Sequence, residues 1–114
     1  MGKLIYGAPT WSIDFDDREL AHLRIVIMTK LRRGESFSLS WDSDSTSGMG
    51  RNSIWLHQAI PLQFVFFGGR EPALNRAWVE ALMAKANSGS GLEVIPEPEP
   101  RGTPSPSNGE KEQA

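Results

Sequence analysis

Residues 53–67, SIWLHQAIPLQFVFF, form the densest apolar run in the chain. Its aromatic, β-branched and long aliphatic side chains favour a buried strand. Pro61 falls inside it, and proline has no N–H to give to a central ladder. The run must therefore divide, and it predicts two strands, 51–57 and 62–67. Side chains alternate along a strand, so Ile54 and Leu56 take one face while Trp55 and His57 take the other.

Upstream, residues 36–41 alternate more cleanly than any other segment, with Phe37, Leu39 and Trp41 inward and Ser36, Ser38 and Ser40 outward. A polar loop, DSDSTSGMG at 42–50, joins them to 51–57 and predicts an antiparallel hairpin. Earlier still, Leu20, Leu23, Ile27 and Leu31 recur at helical spacing. Asp16 followed three residues later by Glu19 is a capping signature. Lys30, Arg32 and Arg33 suit the carbonyl end of a helix dipole, and Gly34 suits a C-terminal cap. A helix over 17–33 follows, with Ile25 left on its far face as a candidate self-association contact. Residues 3–6 and 11–15 pair as a hairpin across a GAPT turn, with Trp11, Ile13 and Phe15 on one face. Downstream of the run, 68–72 breaks the sheet. Pro72 then opens a second helix over 72–86 with Leu74, Trp78, Ala81 and Leu82 as its stripe. Residues 92–95 return as an edge strand that Pro96 stops.

The order β-β-α-β-β-β-α-β, with short connections, predicts an α+β fold of two layers: a mostly antiparallel sheet with two helices on one face. A chain of 114 residues supports one domain, here 1–96. Residues 97–114, EPEPRGTPSPSNGEKEQA, offer no aliphatic side chain larger than alanine and predict a disordered tail. Acids and bases balance up to residue 96, so the net charge of −2 falls on that tail. No global field draws the domain to nucleic acid or membrane. The chain has no cysteine, which excludes disulfides, thiolate metal sites and cysteine catalysis. It lacks a signal-peptide apolar region and any apolar run near the ~18 residues of a membrane span. The expectation is a cytoplasmic protein without a membrane partner or cofactor.

The face opposite the core gathers Asp14, Ser38, Ser40, Trp55 and His57, the candidate binding surface. A Ser–His–Asp relay with His57 as base is conceivable there, but no G-x-S-x-G elbow presents a nucleophile. A ligand or partner surface is the reading, and no residue is assigned as catalytic. Asp42-Ser43-Asp44 invites a cation, yet an EF-hand loop needs Gly and Glu where Ser47 and Ser53 stand. His22 has no ligand partner one helical turn on, so no metal site is expected. Lys30, Arg32, Arg33, Arg51 and Arg70 are candidate phosphate contacts, with Trp55 as a stacking platform. Gly68-Gly69-Arg70 ahead of a helix can offer N–H groups and a guanidinium to an anion.

MGKLIYG at the start, KLRRGESFSLSW at 30–41, SIWLHQAIPL at 53–62 and NRAWVEAL at 75–82 resemble a group of short actinobacterial proteins of unknown function. Gln58-Ala59 stand where many of that group have Pro-Ser. Its members often carry the name ATP-dependent DNA ligase, so the resemblance implies an accessory role beside nucleic-acid enzymes. A ligase of that type forms a lysine–AMP adduct from K-x-D-G, and this chain contains no K-x-D-G. Two readings follow. One is a small non-catalytic binding domain with a protein partner or a second copy of itself. The other is a nucleic-acid-associated accessory domain.

Overall fold

The computed structural model describes residues 2–7, 11–42 and 50–99. The centre of the acidic loop, 43–49, and the tail beyond 99 lie outside the described residues. The elements are β1 (Gly2–Tyr6), β2 (Ser12–Phe15), α1 (Asp17–Arg32), β3 (Phe37–Asp42), β4 (Arg51–Leu56), β5 (Leu62–Val65), α2 (Arg76–Ala86) and β6 (Leu92–Glu93). The fold is α+β, and the element order is the one the sequence predicts.

The strands form two sheets rather than one continuous sheet: β2-β1-β5 and β4-β3-β6. Neighbours are antiparallel except β3 and β6, which run parallel. The division falls inside the apolar run. Leu56 closes β4 in the second sheet, and Pro61 precedes β5 in the first. Between them the chain turns: Ile60 N–H donates to the His57 carbonyl (3.0 Å), and Ala59 N–H donates to His57 Nδ1 (3.0 Å). A residue that lacks an N–H thus sits where the chain leaves one sheet for the other.

α1 packs on β1, α2 packs on β3 and β6, and the helices pack on each other. One apolar cluster spans all these elements, with Leu4, Leu23, Ile27, Leu39, Leu56 and Leu82 fully buried. A hydroxyl ties the two sheets together as well: Tyr6 donates to the Trp55 carbonyl at 2.6 Å. Phe15 and Trp41 meet edge to face across the same seam, with centroids 6.0 Å apart.

Local chemistry explains where the elements begin and end. Asp16 occupies the N-cap of α1 without a side-chain capping bond. The Glu19 carboxylate accepts from the Asp16 N–H, so half of the capping box forms, while burial pushes the Glu19 carboxyl upward. Gly34 takes φ +80° just past the helix, the left-handed geometry that favours glycine there. Gly2 is required for space: a Cβ there would lie 2.7 Å from Leu20 Cδ2 and 2.8 Å from the Val65 carbonyl oxygen.

α2 starts later than the sequence predicts. Pro72 does not open it; Asn75 does, its Oδ1 accepting from the N–H groups of Ala77 and Trp78 (3.0 and 3.4 Å). Residues 71–75 run irregularly over α1, and Leu74, expected in the helix stripe, is exposed. The reason lies underneath. His22 is fully buried, its Nδ1–H donating to the Arg18 carbonyl (2.7 Å) and its Nε2 accepting from the Asn75 N–H (2.8 Å). Asn75 must come down onto His22, and α2 can begin only after it. Trp11, expected on the inner face of its hairpin, is also exposed and leans on Tyr6.

The fold also continues past residue 96. Arg18 donates to Glu97 through Nε (2.8 Å) and Nη2 and to the Ala73 carbonyl through Nη1. Asn75 Nδ2–H donates to Glu97 (2.9 Å) and to the Pro98 carbonyl (3.0 Å), and the Trp78 indole N–H donates to the Ile95 carbonyl (3.0 Å). Glu97 and Pro98, read from sequence as tail, are the far side of a clasp over the starts of both helices.

Candidate functional site

The residues expected to form a binding surface separate. Ser38 stands opposite Trp55, and Ser40 opposite Ser53, on the outer face of the second sheet; the Ser40 and Ser53 hydroxyls share a 2.7 Å hydrogen bond. Trp55 is exposed. Asp14 lies on β2 in the other sheet, where it pairs with Lys3 at 2.8 Å. His57 lies beyond β4, its Nδ1 taken by the Ala59 N–H. Ser38 is crowded by Gly91, whose φ is +85° and where a Cβ would fall 2.2 Å from the serine Oγ. A serine bonded to a serine, an aspartate bonded to a lysine and a histidine bonded to its own turn make no proton relay.

The basic residues also separate. Lys30 is buried, its ammonium held by Asn87 Oδ1 (2.6 Å) and Glu35 (2.9 Å) and lying 5.6 Å from the Phe37 ring centroid. It anchors the end of α1 rather than facing solvent, and its ammonium holds the Glu35 carboxyl below the usual range. Arg32, Arg33, Arg51 and Arg70 are exposed. Arg51, at the start of β4, borders a shallow depression with Ser40, Asp42 and Glu93. The Gly68 N–H, read as part of an anion nest, donates to the Asp17 carboxylate at 2.7 Å. That bond holds the Asp17 carboxyl below its usual range, so the turn already has an anion from its own chain.

What the fold does assemble is a groove between α1 and β5. Two hollows of about 710 and 670 Å³ run along the outer side of α1, with Arg24 and Phe64 lining both. Its apolar side chains are Ile25 and Met28 from α1, Leu62, Phe64 and Phe66 from the β5 segment, and Leu74 at one end, set among polar lining that includes Gln58, Gln63 and the 68–69 backbone. Arg24, Arg32 and Arg70 stand along it, with Glu71 the one carboxylate in its lining. Ile25, placed by its helical phase away from the core, was the sequence signal for this surface. The approach of 62–66 to α1 had no local signal because it depends on which sheet β5 joins.

Among the described residues no group of three or more His, Asp and Glu side chains forms a metal cluster. No described helix is long and apolar enough to cross a membrane. Together the fold and groove define a small α+β domain with an arginine-lined groove along α1, and among the described residues Asp14, Ser38, Ser40 and His57 do not meet as a relay. The chain belongs to the family described as Domain of unknown function (DUF7882), which matches residues 1–97. The match ends at Glu97, the residue that closes the clasp on Arg18. No curated protein and no solved structure matches the chain.

Proposed function

We propose that this domain is a non-catalytic cytoplasmic interaction module, and that the α1–β5 groove is its working surface. One observation carries the reading: exposed or half-buried Ile25, Met28, Leu62, Phe64, Phe66 and Leu74 line two adjoining hollows that share Arg24 and Phe64. Scattered exposed apolar residues are ordinary, whereas a contiguous apolar channel marks a contact site. The outer serine face with Trp55 is the smaller alternative.

The test compares proteins retained by the immobilised full chain with those retained by an Ile25→Asp/Met28→Asp variant. The expected result is a set retained by the wild type and lost by the variant. A set that survives this change and disappears on Trp55→Ala moves the surface to the second sheet. The chain should take up no label from radioactive ATP, because it lacks the adenylation lysine motif; a covalent adduct would restore the ligase reading.

The accessory role beside nucleic-acid enzymes draws its support from Arg24, Arg32 and Arg70 along the channel. It predicts salt-dependent binding to labelled single- or double-stranded DNA. Phe64 and Phe66 offer ring faces of the kind on which single strands stack, whereas Ile25, Met28, Leu62 and Leu74 suit the apolar side chains of a protein partner.

A further inference from the structure

The ladder between β1 and β5 fixes the direction of the β5 backbone groups. Gly7 N–H donates to the Pro61 carbonyl at 2.9 Å, and Gly7 is next in register after Tyr6↔Leu62. In an antiparallel pair, bonded and non-bonded positions alternate. Ile5↔Gln63 and Lys3↔Val65 therefore exchange bonds, while the N–H and C=O groups of Leu62 and Phe64 point away from β1. No partner for them is seen among the described residues. The side chains of these two residues also line the groove. An unpaired strand edge and an apolar channel thus coincide at the same two residues, with three arginines against one carboxylate alongside.

We propose that the groove accepts an extended acidic segment of a partner protein, which pairs as a strand with β5 and extends the first sheet to four strands. The proposal rests on the groove being the working surface and names what it takes. Backbone bonds to Leu62 and Phe64 supply register, and the channel takes every second side chain of the guest, which must be apolar. Carboxylates on the guest meet Arg24, Arg32 and Arg70. A second copy of this chain fits less well, because β5 facing β5 would bring two sets of these arginines together.

The other edge of the same run argues for the choice. Ser40 gives its carbonyl to Val94 N–H on the β6 side, so on β4 the groups of Arg51, Ser53 and Trp55 point away from β3; of these the Trp55 carbonyl is capped by the Tyr6 hydroxyl. The chain caps the Trp55 end of one edge with its own side chain, and the Leu62–Phe64 edge lies beside the groove.

The experiment pans a displayed library of random peptides against the immobilised full chain. Enriched peptides should carry acidic residues and apolar residues at alternate positions, and a synthesised winner should slow amide exchange at Leu62 and Phe64. An Arg24→Glu/Arg32→Glu variant should bind that winner roughly tenfold more weakly, the sum of two exposed ion pairs. Panning against this variant should select basic peptides instead. Both changes are on exposed side chains, and circular dichroism checks that the variant folds. Peptides that occupy the groove without acidic bias, or as helices, overturn the guest while leaving the groove as the surface. Peptides whose binding ignores both this variant and Ile25→Asp/Met28→Asp overturn both. Concentration-dependent dimerisation that protects the β5 amides, or DNA binding that Arg24→Glu/Arg32→Glu abolishes, would replace the acidic segment as occupant.

Discussion

β4 and β5 come from one apolar run yet end in opposite situations. β4 buries Ile54 and Leu56, shares a sheet with a covering helix and has its Trp55 carbonyl capped by Tyr6. β5 buries no side chain completely and turns the polar groups of Leu62 and Phe64 outward. Hydrophobicity alone does not separate them. What separates them is the neighbour each acquires when the chain turns at 57–61: β4 meets the Tyr6 hydroxyl at its Trp55 end, while β5 meets the hollow along α1.

The sharpest way to break this contrast is to shorten one leucine in each strand. Leu56→Ala should cost about 3 kcal/mol, as for a fully buried leucine, and Leu62→Ala about 1 kcal/mol, both read by urea unfolding. Equal losses would mean that β5 is as much core as β4. Asn75→Ala, beside the second sheet's helix, should cost about 2 kcal/mol because it removes the α2 cap and the amide that reaches Glu97.

The clasp adds a pH dependence. Hydrogen bonds from Arg18, and next from Asn75, hold the Glu97 carboxyl down from its ordinary 4.5 to about 2. A depressed carboxyl contributes stability above its unfolded value, and that contribution fades as pH falls from 4.5 toward 2. Glu97→Gln should lower stability at neutral pH and flatten the acid limb of the profile; an unchanged limb would remove Glu97 from the account.

Tyr6→Phe should cost about 1 kcal/mol and speed amide exchange near Trp55, a test of whether the hydroxyl is what holds that end of β4. The smallest effect belongs to the groove: Met28→Asp should change stability by less than ~0.5 kcal/mol while altering binding. A large loss there would make the channel wall part of the core.

Much of this was legible in residue order. Alternation around Phe37 and Leu39, the spacing of Leu20, Leu23 and Ile27 and the break at Pro61 place most of the elements. The division into two sheets was not legible, because β5 pairs with β1 across more than fifty residues and no local pattern names that partner. The start of α2 was missed for a related reason: Pro72 is a strong local signal, but the buried His22 ring demands Asn75. For the site, Ile25 and Arg70 were visible as residues, while the channel they share depends on which side of α1 β5 passes. The serine face looked richer in sequence because hydroxyls and a histidine suggest chemistry; in the fold each meets a different neighbour, Ser40 with Ser53, Asp14 with Lys3 and His57 with the Ala59 N–H.

The clasp also bears on the order in which the chain becomes structured. The two hairpins close between strands near in sequence, whereas Arg18 and Glu97 stand 79 positions apart. Long loops close late, because their entropy must be lost before the contact rewards it. The β6 ladder and the clasp should therefore be the last contacts made and the first to open. Hydrogen exchange at the Trp78 indole, which donates to Ile95 beside the clasp, should then outpace exchange in β3 and report on how the domain starts to come apart.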